Sequence, residues 1–133
     1  MGAKEFIAEK DRFARHLGIE ILLEGPGYAK VSMPVREEHL NGLDIVHGGA
    51  TFALADLAFA VASNSHGKVA VAINVNISYM AAAEKGATLY AEAREKSRNH
   101  KLGTYEVEVT DDKGELVAVF NGMVYRKKSD LPE

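Results

Sequence analysis

Asp56 lies where an acid is least expected. The run from Gly48 to Asn64 reads Gly-Gly-Ala-Thr-Phe-Ala-Leu-Ala-Asp-Leu-Ala-Phe-Ala-Val-Ala-Ser-Asn. Asp56 sits in its middle between Ala55 and Leu57, with Phe52 and Ala60 one turn away. Aspartate is a poor helix-interior residue, and an unpaired buried carboxylate costs several kcal/mol. No Lys or Arg stands within a turn of it in sequence to neutralise the charge. A purely structural role has Asp56 pairing with a distant cation or reaching solvent at a cleft. The chemical role is that of a carboxylate held in a pocket as base or nucleophile.

The start of the same run supplies a complementary feature. The first amides of a helix have no intrahelical acceptor and carry the positive end of its dipole. With Gly48 and Gly49 at that point, no side chain shields them. A carbonyl oxygen can approach and be polarised there, as in an oxyanion hole. Relief of crowding where the helix meets a sheet is the plain alternative for the glycine pair. Asp56 is eight residues beyond Gly48, which along one helix is roughly 12 Å. One small electrophile does not span that gap. If the two groups share a reaction centre, one of them comes from a second subunit, as in an antiparallel two-fold dimer with two equivalent sites.

The elements that must position these groups follow from periodicity. Alanine and leucine favour a helix over 48–64, and its apolar residues surround the axis, so it is buried on nearly every side. Ahead of it, Phe6, Phe13 and Leu17 at near-helical spacing predict one short amphipathic helix over 3–17, closed by Gly18. The segments 19–24 and 28–33 alternate around Gly25-Pro26-Gly27 and predict a hairpin that ends at Pro34. Residues 35–47 are polar and irregular. After the helix, Val69, Val71, Ile73, Val75, Ile77 and Tyr79 are expected on one strand face, with Asn74, Asn76 and Ser78 on the other. Further strands are expected at about 87–98, 102–110 and 115–126, the last two joined by the turn Asp111-Asp112-Lys113-Gly114. A helix buried all round among antiparallel strands implies an α+β fold, a curved antiparallel sheet wrapped around a long central helix.

Composition excludes several other classes. The chain of 133 residues suits one domain spanning 1–133, and its 47% hydrophobic content excludes wholesale disorder. A net charge of −3 provides no global positive field for nucleic acid. The absence of cysteine removes disulfides, thiolate zinc sites and a thiol nucleophile. Residues 1–11 lack the apolar core of a secretory signal, and no run reaches the roughly 20 apolar residues of a membrane span. These features predict a soluble, cytoplasmic protein. His66 and His100 are not at ligand spacing from His47, so no metal site is expected.

The segment Asn41-Gly42-Leu43-Asp44-Ile45-Val46-His47-Gly48-Gly49, followed by Phe52-Ala53-Leu54-Ala55-Asp56, resembles the hotdog-fold thioesterases, most closely the phenylacetate-degradation (PaaI-type) branch. The resemblance covers nearly the whole chain, including the strand with Asn76-Ile77-Ser78-Tyr79. It implies hydrolysis of an acyl-coenzyme A thioester, with an aryl or medium-chain acyl group, at sites shared between subunits of a homodimer or homotetramer. By motif position, the Gly48 amide polarises the carbonyl, and Asp56 of the partner activates water or attacks directly. Asn41 orients the water or the thioester, and His47 braces the loop near the sulfur. Gly49 and Phe52 stand beside the substrate. A thiolate leaves readily, so neither a general acid nor a cofactor is needed; coenzyme A enters as part of the substrate. The sequence departs from many relatives at Asn99-His100, where they carry Gly-Arg or Gly-Lys. Ala72 also stands where some relatives place a Ser or Thr helper.

Arg98, with Arg94 and Lys96 at alternate strand positions, could form a basic edge for coenzyme A phosphates, joined by Arg126, Lys127 and Lys128. A solvated strand face explains the same pattern equally well. Ser63 and Asn64 read as a helix end. Two other functions compete with hydrolysis. A sensor that binds acyl-coenzyme A without cleaving it leaves the cost of Asp56 unexplained. A dehydratase would use His47 as its base.

Overall fold

The computed structural model describes residues 2–132. The N-terminal segment is two helices rather than the single helix expected over 3–17: α1 spans Ala3–Lys10 and α2 spans Arg12–Leu17. Asp11 makes the break. Its backbone is extended, and its carboxylate accepts a hydrogen bond at 3.0 Å from the Ala14 amide. Aspartate competes for helix amides in this way, which is why it starts helices more readily than it continues them. Gly18 ends α2 in the left-handed region at φ 76°, as expected.

Strands β1 (Glu20–Gly25) and β2 (Tyr28–Pro34) form the expected hairpin. A single 3-10 turn at Glu37–His39 follows, within the segment expected to be irregular. Helix α3 occupies Gly48–Asn64, the bounds read from the sequence. Strands β3 (Lys68–Tyr79), β4 (Thr88–Arg98), β5 (Leu102–Thr110) and β6 (Leu116–Asp130) complete the chain. All six strands form one antiparallel sheet in the order β1-β2-β4-β5-β6-β3.

The sheet curves around α3, and the core lies between them. Phe59 of α3 packs edge-on to Tyr105 of β5 and against Phe120 of β6, with ring centroids 5.7 and 5.4 Å apart. A Cβ on Gly122 of β6 would stand 2.6 Å from the Phe59 ring, so glycine is what lets the strand approach the helix this closely. Burial is not complete around the helix. Gly49 is exposed, and Phe52, Ala53, Asp56 and Ala60 are only partly covered. These positions recur at helical spacing and form one stripe that the sheet does not reach. Helices α1 and α2 pack against α3 and cover part of it.

Strand β3 also departs from the expected alternation. Its pairing with β6 shifts register between Ala72 and Asn74, which sit opposite the adjacent residues Val124 and Met123. This bulge at Ile73 reverses the faces. Val75 and Ile77 pack on the core, whereas Val71 and Ile73 are 39% and 54% exposed. Being last in the sheet, β3 presents an outer edge that no strand pairs with among the described residues. Among the described residues no helix is long and apolar enough to cross a membrane.

Candidate active site

The loop before α3 is built around Asn41. Its amide donates to the Ile45 carbonyl at 2.8 Å, and its side-chain Oδ1 accepts from the Leu43 amide at 2.9 Å and the Ile45 amide at 3.5 Å. Both neighbours are drawn to the oxygen, as in an Asx turn. The two N–H bonds of Nδ2 are left without an acceptor among the described residues. Asp44, with φ 60°, closes the turn. A bridge between Leu40 and Val46 and another between Ile45 and Glu84 hold the loop on the body of the protein.

His47 is the N-cap of α3 and disposes of most of its free amides. The His47 carbonyl accepts from Ala50 at 2.9 Å and from Thr51 at 3.3 Å, while Nδ1 accepts from Gly49 at 2.8 Å. A ring whose Nδ1 accepts carries its proton on Nε2. Gly48 alone in this first turn keeps an N–H with no acceptor among the described residues. The free amide at the helix start is thereby narrowed from a pair of glycines to one donor. Gly48 and Asn41 line the same cavity, of about 380 Å³, together with Thr51 and Tyr79.

Two participants were not foreseen from the sequence. The Tyr79 hydroxyl donates to the Gly48 carbonyl at 2.9 Å, and its ring would stand 3.3 Å from any Cβ at position 48. This contact joins the end of β3 to the start of α3, and no local pattern announces it. His39 is 1% exposed. Its Nδ1 accepts from the Arg36 amide at 3.0 Å, and Nε2 donates to the Leu17 carbonyl at 2.8 Å. Its own carbonyl accepts from the His47 amide at 2.7 Å, so it ties α2 to the loop that carries His47.

Asp56 lies on the open stripe of α3, in a second cavity of about 180 Å³ lined by Asp11, Phe13, Gly49, Phe52 and Ala60. No ion pair or hydrogen bond to its carboxylate occurs among the described residues; of the two structural alternatives, it is the opening onto a cleft that the chain shows. Burial, reinforced by the Asp11 carboxylate, pushes Asp56 above the ordinary carboxylate range. Phe52, besides lining this cavity, packs edge-on against Phe120 with centroids 5.5 Å apart.

Within one chain, then, five of the expected residues fall into two groups, with His47 capping the helix outside both cavities. Asn41 and Gly48 share one cavity; Gly49, Phe52 and Asp56 share the other. Arg98 lines neither. It is exposed at the end of β4 opposite Gly103, near Glu95 and Tyr105. Arg94 lies 5.2 Å over the Tyr28 ring and donates to Glu92 at 2.8 Å, and Arg126 donates to the Asn99 carbonyl at 2.8 Å. Part of the basic edge is thus engaged in the fold itself. No group of three or more metal-ligating side chains occurs among the described residues.

Residues 43–118 match the family model described as the thioesterase superfamily. The chain is 39% identical to the acyl-coenzyme A thioesterase PaaI of Escherichia coli over 118 residues, covering 89% of this chain and 84% of that protein. It is 32% identical to human acyl-coenzyme A thioesterase 13 over 110 residues, covering 80% of this chain and 79% of that one. The solved structure of E. coli PaaI, from the phenylacetic acid degradation operon, superposes with a TM-score of 0.94 at 36% identity, covering 96% of this chain and 93% of that one.

Proposed function

The chain belongs to the thioesterase superfamily, with its hotdog fold, and we propose that it hydrolyses acyl-coenzyme A thioesters to the free acid and coenzyme A. One observation carries the reading. Among the described residues, the start of α3 offers one unpaired amide, at Gly48, while the same helix holds an unpaired carboxylate, at Asp56, in a half-open cleft. Two chains complete the site. Gly48 and Asn41 of one protomer face Asp56, Phe52 and Gly49 of its partner across a two-fold axis.

The unpaired edge of β3 supports such a dimer. An exposed twelve-residue strand carrying Val71 and Ile73 is a template for pairing with a second copy. We take the dimer as the minimal active unit, with two dimers forming a tetramer.

In the proposed reaction the thioester carbonyl oxygen accepts from the Gly48 amide, which stabilises negative charge as the carbonyl is attacked. Asn41, its oxygen committed to the loop, offers Nδ2 to the water or the thioester. Asp56 takes a proton from water as the oxygen–carbon bond forms, or attacks the carbonyl itself to give an anhydride that water then opens. Collapse of the tetrahedral intermediate breaks the carbon–sulfur bond and releases the thiolate. His47 holds the helix start in shape and lies beside the leaving group. No cofactor enters this scheme. Phe13, Phe52 and Ala60 give the Asp56 cleft apolar walls suited to an aryl or medium-chain acyl group, and Arg98, exposed at the end of β4, offers charge to the phosphates of coenzyme A.

The test is release of free coenzyme A from a panel of aryl- and alkyl-acyl thioesters by the native protein and by Asp56→Asn. Turnover confined to the native protein is expected. Equal activity of the variant would remove Asp56 from the chemistry, and tight binding with no turnover would make the protein an acyl-coenzyme A sensor. Hydration of an enoyl thioester would instead identify a dehydratase. Light scattering that shows a stable, active monomer would rule out a site shared between chains.

A further inference from the structure

The break between α1 and α2 places a second acid beside Asp56. Asp11 lines the same cavity of about 180 Å³, and one oxygen of its carboxylate is fixed by the Ala14 amide at 3.0 Å. The carboxylate is therefore held in place by the cap it forms. Among the described residues, no charged side chain besides Asp11 and Asp56 lines that cavity. Its neighbour, which shares Asp11, Ala14, Ile19 and Leu57, brings in Lys4 of α1, Arg15 of α2 and Glu20 of β1. The Arg15 guanidinium is engaged by the Glu9 carbonyl. Beneath α3 the sheet contributes apolar side chains such as Val31, Leu89, Val107 and Phe120, and its inward-facing tyrosine, Tyr105, packs on Phe59 further along the helix.

Resting on the proposed role of Asp56, we infer that Asp11 is a positioning residue for the reaction, a fixed negative charge that drives Asp56 to give up its own. Two like charges in a half-dry cleft repel. When Asp56 takes the proton from water, the O–H bond of water breaks, its electron pair forms the new bond to the carbonyl carbon, and Asp56 becomes neutral. The negative charge now rests on the carbonyl oxygen at the partner's Gly48 amide. Repulsion present in the ground state is relieved in the transition state, the differential effect that raises a rate. Direct attack by Asp56 relieves it equally, because the carboxylate charge again moves to the carbonyl oxygen. The upward displacement of Asp56 by Asp11 agrees with this placement.

Asp11→Asn separates this role from simple capping, because asparagine caps a helix nearly as well as aspartate and carries no charge. In the intact protein the variant is expected to melt close to the native temperature. The acid limb of its kcat/KM profile should move to lower pH, with a roughly threefold loss on the plateau from the weaker base. The carboxyl carbon resonance of Asp56 should titrate at lower pH in the variant, a readout independent of turnover. Asp11→Ala should show the same titration and in addition lose stability. An unchanged Asp56 titration in Asp11→Asn would reduce Asp11 to a helix cap and overturn the inference. Full activity of Asp56→Asn would instead overturn the role of Asp56 on which the inference rests.

Discussion

The C-terminal end of α3 and its first half treat polar groups in opposite ways. Beyond its C-terminus, His66 contacts Glu95 at 2.8 Å and the Tyr105 hydroxyl donates to the same carboxylate oxygen at 2.7 Å. Asn64, buried at the helix end, donates to the Ala60 carbonyl at 2.8 Å and accepts from the Ala70 amide at 2.9 Å. Ser65 accepts from the Gly27 amide at 2.8 Å and donates to the Ala62 carbonyl at 2.7 Å. Asn64, Ser65, His66, Glu95 and Tyr105 are all used by the fold. From the helix start to its middle, by contrast, the Gly48 amide, Asn41 Nδ2 and the Asp56 carboxylate have no hydrogen-bond partner among the described residues.

The acids show the same contrast. Burial would raise Glu95, but hydrogen bonds from Tyr105 and His66 outweigh it and leave the group below its ordinary range. For Asp56 burial and Asp11 act in the same direction, upward. One carboxylate is stabilised as an anion by its surroundings; the other is kept ready to take a proton. Site and scaffold differ here in whether the donors were supplied by the chain or left for a substrate.

The largest effect that would break this contrast is at Asp56. Asp56→Asn should lower kcat by about 10² to 10⁴, the range for loss of a positioned base. The same change should slightly raise the melting temperature near neutral pH. The folded-state pKa of Asp56 lies above its unfolded value, so the ionised side chain opposes folding at high pH, and that penalty fades as pH falls through the folded value. Calorimetry beside a turnover assay checks both signs. A variant both inactive and less stable would show that Asp56 serves the fold.

Tyr105→Phe should do the reverse, keeping activity while reducing stability by about 1 to 3 kcal/mol in denaturant titration, because Glu95 loses a donor in a partly buried setting. Glu95→Gln sharpens the same point through pH. With a lowered folded pKa, Glu95 contributes stability above its unfolded value and loses it as pH falls through the folded one. The native protein should therefore lose stability on acidification more steeply than Glu95→Gln, as measured by melting temperature across acid pH. The smallest effect is expected at Tyr79→Phe, which removes the hydroxyl from the Gly48 carbonyl but keeps the ring. A loss of about twofold to tenfold in kcat with stability nearly unchanged would place Tyr79 with the site, as a brace of one neutral hydrogen bond.

Much of this was legible in the chain. Alanine-rich composition and the Gly48-Gly49 start located α3 to the residue, and Asp56 stood out because acids do not belong in such a run. The hairpin and the later strands announced themselves by alternation and turn residues. The single helix expected over 3–17 failed at Asp11 because its carboxylate captures the Ala14 amide, a local contact that the apolar spacing of Phe6, Phe13 and Leu17 conceals. The faces of β3 failed at Ile73, where the bulge depends on the partner strand as well as on β3. Arg98 was expected beside substrate; within one chain it is exposed at the end of β4 and lines neither cavity, so strand spacing alone left its place relative to the other site residues open.

What the sequence by itself determined was the central helix, the strands and the two groups capable of chemistry. Helix periodicity, strand alternation and the free amides of a helix start are properties of neighbouring residues, readable without a fold. Only the tertiary structure decided that Tyr79 would brace Gly48, that Asp11 would share a cleft with Asp56, and that His66, Glu95 and Tyr105 would close the other end. Those pairings join residues far apart in the chain, so they depend on how α3 docks on the sheet and on the register of β3 against β6 and of β4 against β5. Local pattern carries no record of either.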